Sequence, residues 1–232
     1  MIGDWRVMIG GADSAVHHMA LDEQLARQPV ARVRVFTWSC PAISFGWKQP
    51  APSWFDKTAW RAAGLEWVER PTGGGIAVHG SDLSVSIVMP RQVRLPVHTL
   101  MHAACESAVR LCREFGISAS ATLESAADSR IDFCLMEPSA YAVMVGSRKV
   151  AGFALRRYPD TWLIQGSMLV QPLPRRLAER LPERLMAKLD RTSVPLSEAA
   201  GKRLAPSALA KRWVEHWPAW WEALLVEQLS IA

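Results

Sequence analysis

Glu69-Arg70-Pro71-Thr72-Gly73-Gly74-Gly75-Ile76-Ala77-Val78-His79-Gly80 runs between two β-like segments, Gly64 to Arg70 and Leu83 to Met89. Consecutive glycines are costly to order, because glycine loses more backbone freedom on folding than any other residue. What they supply is access: with no Cβ in the way, backbone N–H groups can approach a ligand closely. A concavity of such N–H groups favours an anionic or strongly polar guest. A triple glycine alone is also the composition of a loose hairpin turn. Here it has a cation, Arg70, on one side and His79 on the other.

Outward from this loop, the hydrophobic spacing predicts strands and helices in alternation. Asp13 or Ser14 is placed to cap a helix running to about Arg27, with Val16, Met19 and Ala20 on one side. Val33 to Trp38 and Ala42 to Gly46 read as strands. Leu83, Val85, Ile87 and Met89 alternate with Ser84 and Ser86, the period of a half-buried strand. Met101, Ala104, Cys105, Ala108, Leu111, Cys112 and Phe115 recur at helical spacing and predict a helix from about Pro96 to Phe115, ended by Gly116. Ala140 to Val145, a turn at Gly146-Ser147-Arg148 and Lys149 to Leu155 read as a hairpin, followed by a strand from Thr161 to Val170. The remainder, about 175–230, is expected to be mainly helical, with Pro218 kinking or restarting the last helix. All 232 residues are expected to form one domain with that helical C-terminal segment.

Composition narrows the function classes. Half the residues are hydrophobic and 21% are charged, ordinary for a chain with a full core. No apolar run reaches the roughly 18 residues of a membrane helix. The start, Met1-Ile2-Gly3-Asp4-Trp5-Arg6, lacks a basic region followed by an apolar one, so a cytoplasmic location is expected. None of the four cysteines (Cys40, Cys105, Cys112, Cys134) forms a C-x-x-C pair, so no metal site is expected. The net charge of +5 suits an acidic protein partner, nucleic acid, or neither. Eleven tryptophans among basic residues suggest base stacking. They are scattered, and core packing accounts for most of them better, so no nucleic-acid partner is expected. The basic residues from Arg175 to Arg191, interleaved with leucines, read as the solvated face of an amphipathic helix.

Three blocks, in order, carry a resemblance. His18-Met19-Ala20-Leu21-Asp22-Glu23 resembles the "N-M-A-L-D-E" helix of the catalytic domain shared by lipoate–protein ligases, protein octanoyltransferases and biotin–protein ligases, with His18 in place of asparagine. Arg70-Pro71-Thr72-Gly73-Gly74-Gly75 through His79 resembles that family's "R-R-P-T-G-G-G" loop and its following histidine. Arg148-Lys149-Val150-Ala151-Gly152-Phe153-Ala154 resembles its lysine strand, and Gln165-Gly166-Ser167-Met168-Leu169 the "H-G-S-L-L" sequel. The resemblance implies an α+β fold: a mixed, largely antiparallel central sheet with flanking helices.

It also implies a chemistry. The family joins an octanoyl or lipoyl group to one lysine of a carrier domain, a lipoyl domain or a glycine-cleavage H-like protein. That requires an apolar slot for the chain, a polar clamp at its carbonyl and an activated donor. By the resemblance, Arg70, Gly73, Gly74, Gly75, His79, Gly152 and Ala154 border the substrate, and Lys149 is the catalytic cation that neutralises charge developing on the carbonyl. His79 reads equally as a hydrogen-bonded structural residue. Phe133-Cys134-Leu135-Met136-Glu137-Pro138-Ser139-Ala140-Tyr141 resembles the "C-F-x-x-P-S-x-Y" segment of cysteine-dependent octanoyltransferases, which makes Cys134 the catalytic nucleophile. On that route acyl carrier protein is the donor and no cofactor is needed. The alternative is a ligase that makes an acyl-adenylate from ATP and Mg²⁺; a third reading is a non-catalytic acyl-binding homologue. Phe153 stands where the family has a small residue and is expected to shorten the slot or shift the donor. Asp82 is a loop aspartate expected to be solvated, or else to offer a metal or polar contact. A straight strand from Cys134 to the hairpin would hold Cys134 and Lys149 roughly 35 Å apart at about 3.3 Å per residue, so the chain between them must fold back.

Overall fold

The computed structural model describes residues 4–122, 133 and 140–229. In chain order its elements are β1 (Arg6–Asp13), α1 (Ala15–Ala26), β2 (Arg32–Trp38), β3 (Ala42–Phe45), α2 (Lys57–Ala62), β4 (Glu66–Glu69), β5 (Ala77–His79) and β6 (Asp82–Pro90). They continue with α3 (Val97–Glu114), β7 (Ser120–Thr122), β8 (Ala142–Val145), β9 (Arg148–Arg157), β10 (Thr161–Leu169), α4 (Arg175–Ala178), α5 (Glu183–Thr192), α6 (Leu196–Ala199) and α7 (Pro206–Leu229). The strands form two sheets, one of seven in the order β1-β2-β6-β10-β9-β8-β7 and one of three in the order β4-β3-β5. Pairing is antiparallel except between β1 and β2 and between β3 and β4. The α+β class and largely antiparallel sheet expected from the resemblance are present. The second, smaller sheet is an addition to it.

Local chemistry explains the elements. Ser14 caps α1, its hydroxyl accepting from the His17 N–H at 3.3 Å, and the Glu66 carboxylate takes the Ala15 N–H at 2.6 Å. Such a cap is worth about 1 kcal/mol. Asp56 caps α2 in the same way. The helical stripe read from Met101 to Cys112 lies buried in α3, which packs on the large sheet and on α7. Cys105 and Cys112 are fully buried there, and burial pushes both thiols well above their ordinary value, so they are inert core residues.

Three expectations need correction. The segment from Arg175 to Arg191 is two helices, α4 and α5, because Pro182 cannot continue the first and instead starts the second. Pro218 does not interrupt α7, which runs unbroken from Pro206. The apolar face crosses the proline intact: Trp213, Trp217 and Trp221 are all buried, and Trp217 stacks on Trp221 with centroids 4.9 Å apart. Trp5 meets both rings edge-on at 5.5 and 5.4 Å. Such ring pairs contribute about 0.5–1.5 kcal/mol each, which together offset a lost helix bond. Strand β1 has no forerunner in the sequence reading. It is exposed over most of its length and carries Gly10-Gly11, so the alternation that marks a strand is missing.

Candidate active site

The loop after β4 is held rigidly, and Arg70 is what holds it. Its guanidinium Nη2 donates to the carbonyls of Gly73 and Gly75, both at 2.7 Å, and Nη1 donates to the Ser44 carbonyl at 3.0 Å. The loop is also pinned from outside: Trp47 N–H donates to Thr72 O at 2.9 Å and Arg156 Nη1 to Pro71 O at 3.0 Å. Gly46 and Gly74 cross so closely that a Cβ on Gly46 would collide with the Gly74 carbonyl. Gly74 itself has φ +90°, a conformation glycine adopts freely.

Beneath this loop, between the two sheets, lies a narrow cavity. One wall is apolar, with Met19 from α1, Phe36 and Trp38 from β2, and Val85 from β6. Gly152 and Ala154 on β9 and Gly166 on β10 form another. Arg70, Ala77 and His79 close it from the small-sheet side. A wider, more open basin bordered by Val16, Trp47, Glu69 and Arg156 shares Met19 and Arg70 with the cavity, so these two residues border both.

Four of the sequence-derived site positions fall on the cavity, Arg70, His79, Gly152 and Ala154, joined by Met19, Ala77, Gln165, Gly166 and Ser167 from the same blocks. Among the described residues the lining does not include Gly73, Gly74, Gly75 or Lys149. Gly74 nevertheless lies against Ala154, since a Cβ built on it would come within 4.0 Å of that side chain. Lys149 is not the solvated lysine of a hairpin turn; it is 2% exposed. Its face follows from the register. Ala142 opposes Gly152 and Met144 opposes Lys149, with a bulge between. Ala142 and Met144 are two apart on β8 and share a face, so Lys149 shares the face of Gly152. The extra residue, Val150, joins Val143 and Ala151 in the core on the opposite side. Without the bulge, the odd spacing from Lys149 to Gly152 would put the lysine on the wrong face.

Phe153 does not enter the cavity. It packs in the core on the other face, over Gly166, where a Cβ would come within 2.5 Å of its ring. The slot is therefore not shortened from this position, and the missing Cβ at Gly166 is what accommodates the bulkier side chain.

Two buried polar networks frame the cavity. In the first, the Asp22 carboxylate accepts from Arg34 Nε and Nη2 at 3.1 and 2.6 Å and from the Gln165 amide at 2.7 Å. Gln165 Oε1 in turn accepts from Thr72 Oγ1 at 2.7 Å, which ties the glycine loop to α1 and β10. His18 Nδ1 faces Arg34 Nη1 at 3.1 Å and its Nε2 faces the Thr37 carbonyl at 2.8 Å, an arrangement that fits a neutral ring protonated on Nε2. Burial, reinforced by the Arg34 charge, lowers the His18 pKa.

In the second, Asp82 is the hub. Its Oδ2 lies 2.8 Å from His79 Nδ1 and accepts from Ser84 and Ser167 hydroxyls at 2.9 and 2.7 Å; Oδ1 accepts from Gly80 N–H at 3.0 Å. Burial alone would raise the Asp82 pKa, but the adjoining His79 ring and the hydrogen bonds from His79, Ser167 and Ser84 outweigh it and hold the carboxyl below its ordinary value. His79 Nε2 is 2.8 Å from Ser44 Oγ, and its ring stacks on Trp38 at 3.9 Å. Asp82 is thus neither solvated nor open to a metal. Among the described residues no cluster of His, Cys, Asp and Glu could hold one.

Cys134 lies outside the described residues. Phe133, which precedes it in the chain, pairs with Ile76, the residue after Gly75, and stacks on Trp54.

A family of known catalytic domains matches residues 14–217: the lipoyl protein ligase A/B catalytic domain. The chain belongs to that family. Its relatives include the octanoyltransferase LipM of Symbiobacterium thermophilum, 33% identical over 86% of this chain and 80% of that one. The LipM of Bacillus subtilis is 27% identical over 91% of this chain and 84% of its own. In fold, the chain is similar to a bipartite lipoate protein ligase of Thermoplasma acidophilum, with TM-score 0.71, 16% identity and coverage of 97% and 91%. Biotin protein ligase of Aquifex aeolicus shares the fold more distantly, with TM-score 0.51, 12% identity and coverage of 98% and 71%. As a member of the lipoyl ligase A/B family the chain is an enzyme, and the cavity bordered by the family's loop and lysine strand is its candidate active site. No helix among the described residues is long and apolar enough to cross a membrane.

Proposed function

We propose that the chain transfers an octanoyl or lipoyl group to a specific lysine of a lipoyl domain or a related carrier protein. One observation carries this reading. A largely apolar cavity is bordered on β9 by Gly152 and Ala154, and the same strand face continues to a buried lysine, Lys149. An acyl chain needs an apolar slot without competing polar groups, and its carbonyl needs a cation at the slot's end. The favoured route is an acyl-thioester on Cys134, formed from octanoyl-acyl carrier protein. The naming of the LipM relatives as octanoyltransferases supports it. So does the pairing of Phe133 with Ile76, beside the glycine loop. On this route Lys149 stabilises the carbonyl oxygen as the thioester forms and breaks, and no cofactor takes part.

The test is donor discrimination. The protein incubated with octanoyl-acyl carrier protein gains one octanoyl group, and Cys134→Ala abolishes the gain. Acylation of a lipoyl domain that instead requires ATP, Mg²⁺ and free octanoate would replace this route by the adenylate route. Tight acyl binding with no transfer from either donor would make the chain a binding homologue.

A further inference from the structure

Ser44 on β3, His79 at the end of β5 and Asp82 at the start of β6 are buried together, and the first two line the cavity. Ser44 Oγ is 2.8 Å from His79 Nε2, and His79 Nδ1 is 2.8 Å from Asp82 Oδ2. Proton direction along this line follows from its ends. Arg70 Nη1 donates to Ser44 Oγ at 3.3 Å, which leaves the serine proton for His79 Nε2. Asp82 can only accept, so His79 Nδ1 carries the hydrogen and Nε2 the lone pair. That is the order of a nucleophile, its base and the group that orients the base.

We propose that Ser44, His79 and Asp82 constitute a second acyl-transfer centre, which hydrolyses acyl thioesters held in the cavity. It rests on the reading that an acyl thioester occupies this cavity, and adds a nucleophile and a reaction to it. Position favours the step. Arg70 borders both the cavity and the outer basin, and Ser44, which lines only the cavity of the two, accepts from Arg70 Nη1. A chain entering tail-first from the basin brings its carbonyl to that level. The terminal N–H groups of Arg70 are engaged by Ser44 and the loop carbonyls, so the guanidinium acts on negative charge at the carbonyl oxygen through its positive charge.

The step balances without any redox partner. Ser44 Oγ bonds to the thioester carbonyl carbon as its proton moves to His79 Nε2. The C–S bond breaks, and the thiol leaves with that proton. Water then bonds to the same carbon and gives a proton to His79. The C–Oγ bond breaks, Ser44 recovers the proton, and free acid is released.

The experiment uses the full-length Cys134→Ala protein with octanoyl-coenzyme A as probe. Expected are steady release of free coenzyme A without any acceptor, and an octanoyl adduct that survives neutral hydroxylamine, as an oxygen ester does and a thioester does not. Adding Ser44→Ala removes both, and adding His79→Gln lowers thiol release by about 100-fold or more. Because Ser44→Ala perturbs a buried site, Cys134→Ala with Ser44→Cys provides the positive control: its adduct becomes hydroxylamine-labile. A purely structural triad would not change the chemistry of the adduct. If wild type forms a Cys134 adduct while Cys134→Ala shows neither adduct nor thiol release, the proposal is overturned and the transferase reading stands. If wild type also forms no adduct with any acyl thioester, both fall.

Discussion

Replacing Asp22 by asparagine should unfold the link between α1, β2 and β10 more severely than any nearby surface change. Asp22 is 0% exposed and Arg34 is 2% exposed. Asp22 accepts three hydrogen bonds, two from Arg34 and one from Gln165. Asparagine keeps one acceptor oxygen but turns an amide NH₂ toward donors and leaves the guanidinium charge uncompensated. Breaking a buried pair from one side costs about 3–5 kcal/mol. That is about a fifth or more of the roughly 5–15 kcal/mol that holds a domain folded. With a urea slope of about 2 kcal/mol per M, the unfolding midpoint should fall by about 2 M. The control is the double variant Asp22→Leu/Arg34→Met. Removing both charges is often neutral by itself. Here it also strands His18 Nδ1 and the Gln165 amide, at about 1–3 kcal/mol each. The double variant should therefore lose less than its sum of single losses. An Asp22→Asn midpoint within about 0.5 kcal/mol of wild type would refute the reasoning, since no buried, fully engaged carboxylate behaves so.

The His18 pKa lies below its ordinary 6.5 in the folded protein, so below pH 6.5 the unfolded chain takes up the proton first. Stability from this group is full above that pH and is lost as pH falls toward the folded value. His18→Asn should flatten the pH dependence of urea unfolding in that window while leaving the midpoint's fall at lower pH intact. For Asp82, whose folded pKa is depressed, the sign places the loss lower: its contribution is present above about 3.8 and disappears as pH falls through the folded value, so Asp82→Asn should lose stability at neutral pH and little in strong acid. Gly166→Ala forces a Cβ to within 2.5 Å of the Phe153 ring and 3.1 Å of Val85 Cγ1. It should cost about 1–3 kcal/mol, and adding Phe153→Leu should recover part of that. An additive double variant would mean that the two side chains do not share the space.

Much of the α+β fold was legible in the sequence because its long elements carry regular patterns. The α3 stripe and the β6 alternation are examples. What was hidden lacked a local signal. β1 is exposed and glycine-interrupted, and it is ordered by its parallel partner β2. The short β5 lay inside what read as loop, and only its pairing with β3 makes it a strand. At the site, residue identity was readable but partnership was not. Arg70 looked like a ligand-facing cation, whereas much of its guanidinium is committed to loop carbonyls. Asp82 reads as a loop residue, yet it is the buried hub of four hydrogen bonds, three from His79, Gly80 and Ser84 beside it in the chain and one from the distant Ser167. The bulge that returns Lys149 to the cavity face leaves no mark in the residues themselves except an odd spacing to Gly152.

The central claim is that the space between the two sheets holds the acyl chain during transfer. Ala154→Phe tests it most directly, because it places a ring in that space from a strand position where the side chain lines the cavity. The measurement is the mass of a lipoyl-domain acceptor after incubation with octanoyl-acyl carrier protein and either wild type or the variant, both shown to be folded by their tryptophan near-UV signal. Octanoylation of the acceptor by wild type, reduced to background by Ala154→Phe, is the expected result. Undiminished octanoylation by a folded Ala154→Phe protein would contradict the claim.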